Sequence, residues 1–152
     1  MSGILSFIII VAGGELIGWK FAIAAPIFIL SLAPRRYEYV LPAGPFLDLF
    51  LGFPGGFFTV IFLGLALTAG LTSGFLKEEN WISLAARIFF LAAFAFLGLL
   101  ILFESTVSAG LGANFYHALG AGAKFFSTAL LFLFIYKTAD FYGWKKIIPG
   151  RA

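Results

Sequence analysis

Long apolar runs, separated by short polar or glycine-rich turns, dominate the chain. A helix that spans a bilayer takes roughly 20 apolar residues. Three runs reach this length, at residues 57–76, 81–103 and 118–137. The connection between the last two, residues 104–117, contains glycines and Asn114 and is predicted to be an irregular outer loop. Three earlier runs are shorter than a full span, at residues 3–18, 21–34 and 40–53. The pattern predicts a compact all-α bundle of about six transmembrane helices, of which the first three are short.

The short runs leave two arrangements open. Either each is a short spanning helix, or residues 16–33 form one span beside re-entrant or interfacial pieces. The basic residues help to decide, because cytoplasmic loops of membrane proteins carry an excess of Lys and Arg. With six spans and a cytoplasmic N-terminus, only Lys20 and Lys124 fall on the outer side. The cytoplasmic side then holds Arg35, Arg36, Lys77, Arg87, Lys145, Lys146 and Arg151. Six spans, with both termini in the cytoplasm, are therefore favoured.

Composition supports a membrane protein. Hydrophobic residues make up 62% of the 152 residues and charged residues 11%, whereas soluble domains carry about 25% charged residues. We therefore expect a polytopic integral protein of the cell membrane, with one transmembrane domain over residues 1–152. The N-terminus lacks the basic region of a cleaved signal peptide, so the first run is expected to remain in the membrane. The basic, aromatic tail at residues 138–152 is expected to lie along the cytoplasmic leaflet.

Residues for catalysis or cofactor binding are scarce. The chain has no cysteine and one histidine, so neither thiol chemistry nor a metal site built on His117 alone is expected. Glu78 and Glu79 adjoin each other, and adjacent side chains on a helix point apart. The small groups of positive charge serve membrane topology rather than nucleic-acid binding. The sequence predicts a protein that is not an enzyme and has no cofactor and no metal.

The charges near the predicted outer surface are the candidate functional residues. A lone charge in hydrocarbon costs at least about 2.5–3.5 kcal/mol, so it is expected to pair, reach the interface or line a cavity. We expect Asp48 or Glu104 to pair with Lys124, or Asp48 with Lys20, which would fix the order of the helices. The alternatives are a partner or ligand site and proton coupling, for which Glu15 is the best candidate. The candidate residues are Glu15, Asp48, Glu104, His117 and Lys124.

Small residues recur at helical spacing in two of the runs. Such stripes let helix backbones approach each other closely in lipid. Packing within the chain is the expected role, and docking of a partner's helix is the alternative. The stripes are Gly14 with Gly18, Gly64 with Thr68 and Thr72, and Gly70 with Gly74.

One segment, FLDLFLGFPGGFFTVIFLGLAL, is similar to the centre of the MreD family of bacterial rod shape-determining proteins. In that family a short helix ends in an Asp-Leu-type pair and is followed by a Pro- and Gly-containing loop and a long apolar helix. Asp48-Leu49 and Phe53-Pro54-Gly55-Gly56 stand in those places. The segments KEENWISLAARIFFLAAFAFLGLLILF and KFFSTALLFLFIYKTADFYGWKK also resemble the family's later helices and its basic end.

The resemblance implies a non-enzymatic scaffold subunit of a cell-shape or wall-elongation complex. Its partners would be the lipid bilayer and other membrane proteins, foremost a bitopic MreC-like protein. Such a scaffold predicts paired charges and no sizeable pocket. A rival is a small-molecule-binding component of a membrane transporter, similar to the S components of energy-coupling-factor transporters. It predicts an outer pocket lined by some of Glu15, Asp48, Glu104, Asn114 and His117. Other rivals are an accessory subunit of another membrane complex and a proton-coupled transporter.

Overall fold

The structure, a computed structural model, describes residues 2–53, 55–76, 80–106 and 111–141. Within these ranges the chain forms six α-helices and one short 3₁₀ helix and has no β-strand, which confirms the prediction of an all-α fold. The helices are α1 (Ser2–Ile17), α2 (Trp19–Leu32), the 3₁₀ helix (Tyr37–Tyr39), α3 (Ala43–Leu51), α4 (Phe57–Ser73), α5 (Trp81–Thr106) and α6 (Leu111–Phe141). Two stretches, in α5 and α6, are long and apolar enough to cross a membrane: Trp81–Leu102 and Gly112–Ala139.

The largest difference from the sequence prediction lies between α5 and α6. Residues 104–117 are predicted as an irregular loop, but α5 continues to Thr106 and α6 already begins at Leu111. At its other end α6 continues to Phe141, so it includes the first residues of the predicted tail. The predicted cytoplasmic charges Lys77, Glu78 and Glu79, and the tail from residue 142 onward, lie outside the described residues.

The third helix is shorter than predicted. α3 has nine residues, which corresponds to about 14 Å of helix. It ends at Leu51 and is followed by Gly52, whose φ of 65° lies in the left-handed region that glycine adopts without strain. Before α3, the chain turns through the 3₁₀ helix and through hydrogen bonds from Val40 and Leu41 to the Tyr37 carbonyl. A helix of this length covers only about half of a bilayer's hydrocarbon core.

Helix α2 is the centre of the bundle, where it contacts α1, α4, α5 and α6. Residues 22–27 are all buried, which is more than one full turn, so neighbouring helices cover α2 on every side. Three alanines among the buried residues let these neighbours approach closely, and bulky aliphatic residues fill the space between the helices. The buried apolar residues are Ala22, Ile23, Ala24, Ala25, Ile27 and Leu30.

The outside of the bundle is apolar as well. Large side chains such as Leu16, Phe75 and Ile82 are more than four-fifths exposed (85%, 88% and 84%). In water, an apolar surface of this extent would promote association. Together with the two long apolar helices, this surface favours a membrane environment.

The helix ends gather at two ends of the bundle. At the end that we call the pocket end, the Trp19 ring at the start of α2 contacts Phe53, between α3 and α4, and Phe125 of α6, with centroid distances of 6.3 and 6.0 Å. At the opposite end, which we call the Arg87 end, the last turns of α2 and α4 meet the early part of α5.

Candidate functional site

Asp48 lies on α3 and caps the N-terminus of the neighbouring helix α4. Its carboxylate accepts hydrogen bonds from the Phe58 backbone N–H (2.7 Å), the Thr59 backbone N–H (3.1 Å) and the Thr59 hydroxyl (2.7 Å). The first N–H groups of a helix have no partner within the helix, and the helix dipole attracts a negative charge there. Asp48 therefore does for α4 what an N-cap residue normally does, although it lies about ten residues upstream.

This arrangement differs from the expected pairing of Asp48 with Lys20 or Lys124. The half-buried carboxylate lies directly at the start of α4, where the N–H groups need an acceptor. Helix capping, rather than an ion pair with either lysine, explains how an acidic residue is held within so apolar a segment.

Gly44 brings the two helices close enough for this contact. A Cβ atom at Gly44 would lie 2.9 Å from the Thr59 Cα and 3.1 Å from the Thr59 nitrogen. Both are backbone atoms, so only a glycine allows this approach. Gly44 precedes Asp48 by four residues and thus lies on the same face of α3. The Gly44 and Asp48 pair therefore fastens α3 to the first turn of α4.

Arg87 has the corresponding role at the other end of the bundle, whereas in the sequence it is only one of the basic residues that indicate topology. Its side chain is fully buried, and its guanidinium donates hydrogen bonds to the carbonyls of Ser31 (2.7 Å) and Leu76 (2.6 Å). Ser31 lies in the last turn of α2, and Leu76 follows the end of α4. Arg87 thus satisfies one carbonyl in the last turn of α2 and one just beyond the end of α4, and the helix dipole favours a positive charge near such ends.

The other acids also have defined positions. Glu104, near the end of α5, accepts a hydrogen bond of 3.2 Å from the side-chain amide of Asn114 on α6. Asn114 is nearly fully buried, so this contact joins the two longest helices near their connection. Glu104 therefore contacts Asn114, whereas Lys124 was the expected partner. Glu15 is exposed near the end of α1 and lines no described pocket.

Two of the small-residue stripes contact other helices of the chain. A Cβ at Gly64 would collide with the Phe94 ring of α5, and a Cβ at Gly14 would meet Leu47 of α3 and Ala22 of α2. On the Gly64 stripe, the hydroxyls of Thr68 and Thr72 bond back to carbonyls of α4, that of Thr68 to the Gly64 carbonyl. Gly64 and Gly14 thus serve packing within the chain.

The remaining glycines of the stripes have other surroundings. Gly18, predicted to pair with Gly14 within one helix, instead lies between α1 and α2 with a φ of 105°. Nothing lies within 4 Å of a Cβ at Gly18 or at Gly70, and one at Gly74 would meet only a carbonyl of its own helix. Gly18 is therefore a turn residue, and the Gly70 and Gly74 face of α4 is open.

A cavity of about 390 Å³ lies between α2 and α6 at the pocket end. Trp19 and Lys20 line it from α2, while Asn114, His117 and Lys124 line it from α6. Tyr116, Gly120 and Ala121 complete the wall. Of the five residues expected in an outer pocket, Asn114 and His117 line the cavity and the three acids do not. Lys20 and Lys124 line the cavity instead of the acids, so the cavity carries positive charge.

A helical spacing in the sequence could have identified this cavity. Residues 114, 117, 121 and 124 follow one another at intervals of three or four, which places them on one face of a helix. The prediction of a loop up to residue 117 hides this periodicity. The earlier start of α6 places Asn114, His117 and Lys124 along one helical face.

The two lysines of the cavity are close neighbours. The Lys20 and Lys124 side chains are close enough for their charges to act on each other. The Lys20 ammonium also lies 5.9 Å from the centroid of the Trp19 ring. Both lysines and His117 are exposed, so the positive charge is accessible from outside the bundle.

The described residues contain no group of three or more His, Asp or Glu side chains placed to hold a metal ion. Comparisons of the chain with protein-family models, with curated proteins and with solved structures found no match.

Proposed function

We propose that the protein is a non-enzymatic scaffold subunit of a membrane complex, with six spans and both termini in the cytoplasm. Its role would be to bind partner membrane proteins through helix faces, as the MreD-like resemblance implies. The observation that carries this proposal is the open face of α4 at Gly70 and Gly74, where a partner helix can approach the backbone closely. The resemblance implies a bitopic MreC-like partner, and we propose that the transmembrane helix of this partner occupies the open face.

A scaffold predicts paired charges and no sizeable pocket, and the cavity at the pocket end departs from this prediction. Two acids nevertheless have architectural roles, although their partners are not other charges. Asp48 caps α4 and Glu104 contacts Asn114, so both acids contribute to the shape of the bundle. A scaffold needs a stable arrangement of helices more than it needs free reactive groups. These contacts supply such an arrangement.

Co-purification tests the scaffold. The tagged protein is extracted from its native membrane in a mild detergent, and the proteins recovered with it are identified. Recovery of a bitopic MreC-like protein is expected, and Gly70→Leu should abolish it by filling the open face. Gly112→Leu is the matched control, since Gly112 is an exposed glycine of α6 that also has open space around it. Recovery of a different membrane complex would instead identify an accessory subunit.

The topology has its own test. The chain has no native cysteine, so single cysteines report accessibility without background. With cytoplasmic termini, Glu15→Cys reacts with an impermeant maleimide in intact cells, and Arg35→Cys reacts only after permeabilisation. Both side chains are exposed. The reverse pattern, or equal labelling of both, would contradict the proposed orientation.

The cavity favours a second function, the binding of a small molecule as a component of a membrane transporter. Its volume of about 390 Å³ falls within the roughly 300–1,000 Å³ of small-molecule sites. Native mass spectrometry of the gently extracted protein tests this function. In the Gly120→Trp variant, the tryptophan fills the cavity from its wall. A bound small molecule that this variant loses would support the function. A protein that carries no such molecule would not.

A further inference from the structure

We propose that the cavity at the pocket end binds an organic phosphate monoester, with the phosphate held between Lys20 and Lys124. This inference rests on the second of the two functions proposed above and names the ligand class for that cavity. It does not depend on the docking of a partner helix.

The charge of the cavity is the first reason. Two lysines from different helices are neighbours in its wall. Their like charges repel each other. No carboxylate is among the residues that line the cavity in the described part of the chain. The four residues between α5 and α6 that are not described, Val-Ser-Ala-Gly, carry no charged side chain either. A ligand that carries negative charge would relieve this repulsion.

The hydrogen-bond donors of the cavity indicate which class of anion would bind there. Each lysine ammonium offers three donors, and His117 adds an N–H in the same wall. A phosphate group presents several acceptor oxygens, and lysine is a common partner for phosphate. A monoester carries a charge of about −1.5 to −2 at neutral pH, which matches two ammonium groups. A carboxylate or a phosphate diester carries only one negative charge.

The size and walls of the cavity indicate that the ligand is more than inorganic phosphate. A volume of about 390 Å³ belongs to sites for organic molecules. The Trp19 ring forms one wall and is itself held edge-on by Phe125. On the α6 side, a Cβ at Gly120 would meet nothing within 4 Å. The organic part of the ligand fits between this ring and the glycine, while the phosphate lies at the lysines.

Two kinds of molecule carry a phosphate monoester: a lipid with a terminal phosphate, and a soluble phosphate ester. The test uses a variant in which Trp81→Phe and Trp144→Phe leave Trp19 as the single fluorescent reporter. Glycerol 3-phosphate is titrated into the detergent-solubilised protein for the soluble arm. For the lipid arm, the protein is placed in phosphatidylcholine nanodiscs with increasing phosphatidic acid. Glycerol and pure phosphatidylcholine serve as blanks.

A saturable change of Trp19 fluorescence in at least one arm is the expected result, and the arm that responds identifies the source. Lys20→Gln and Lys124→Gln should each weaken binding at least tenfold. Lys137→Gln, near the other end of α6, should not. The apo forms of the two pocket variants should unfold no more easily than the parent, because each removes a repulsion. This measurement separates loss of binding from loss of folding.

Several results would overturn the inference. These are no response above the blanks in either arm, binding that survives Lys20→Gln and Lys124→Gln together, or equal binding of phosphatidylglycerol, whose phosphate is a diester. The inference and the second function can fail separately. A co-purified small molecule that contains no phosphate monoester would sustain small-molecule binding and overturn the phosphate assignment.

Discussion

Replacing Asp48 with alanine should destabilise the bundle by detaching α3 from the start of α4. The substitution removes three hydrogen-bond acceptor contacts, two to backbone N–H groups and one to the Thr59 hydroxyl. It also removes the negative charge that complements the N-terminal end of the α4 dipole. The apolar contacts of α3 remain, so the expected effect is a loss of stability and not a loss of the fold.

The magnitude follows from the number and the exposure of the contacts. Hydrogen bonds to charged groups contribute roughly 1.5–3 kcal/mol each, but these three share one carboxylate and are not additive. Asp48 is only half-buried, so water replaces part of what is lost. Loss of an N-cap costs about 0.5–2 kcal/mol. We expect Asp48→Ala to lower the free energy of unfolding by about 2 kcal/mol, and Asp48→Asn by about half as much, because the amide keeps one acceptor oxygen.

In the assay, SDS is added stepwise to the protein in dodecyl maltoside micelles, and unfolding is monitored by tryptophan fluorescence. Glu15→Ala is the control, since Glu15 is an exposed acid near the same end of the bundle. Thr59→Val tests the geometry further. Once Asp48 is alanine, Thr59→Val should add little, because the hydroxyl has already lost its acceptor. Equal stabilities of Asp48→Ala and Glu15→Ala, or full additivity with Thr59→Val, would refute the capping role.

Three further predictions use the same unfolding assay. Gly44→Ala should cost about 1–3 kcal/mol because its methyl group meets backbone, whereas Gly70→Ala should be neutral or slightly stabilising; equal effects would contradict the close approach of α3 and α4. Arg87→Met should cost about 2–4 kcal/mol by leaving buried carbonyls unpaired, and an effect no larger than that of the exposed control Arg35→Met would contradict the role of Arg87. Glu15→Gln should change neither stability nor partner recovery, and a loss of either would give this acid a function.

The sequence predicted the helices better than the ends of the helices. Apolar runs identify α4 and α5 well, because a membrane helix is apolar on every side. The start of α6 was missed because Gly112 and Asn114 are typical of loops. The Asn114 amide contacts Glu104 on the neighbouring helix α5, and no local pattern reveals that partner. The cavity was missed for the same reason, since it depends on residues before position 118 being helical.

The roles of individual charges were harder to predict, because the expected partners were other charges. Asp48 and Arg87 instead contact backbone groups at helix ends, which the sequence does not display. Once the fold is known, a helix N-terminus is as good a partner for a carboxylate as a lysine is. The open Gly70 face and the filled Gly64 face likewise look alike in the sequence, and only the position of α5 distinguishes them.

Helix α4 thus has an acidic residue at its N-terminal end and a basic residue at its C-terminal end, each supplied by another helix. Asp48 comes from α3 and Arg87 from α5, so both charges hold neighbours against α4 while they complement its dipole. These two charges are accounted for by the architecture. Lys20 and Lys124 are different, because they lie against each other in the wall of a cavity. In so apolar a chain, a pair of like charges with no evident architectural role is the strongest reason to look for a ligand there.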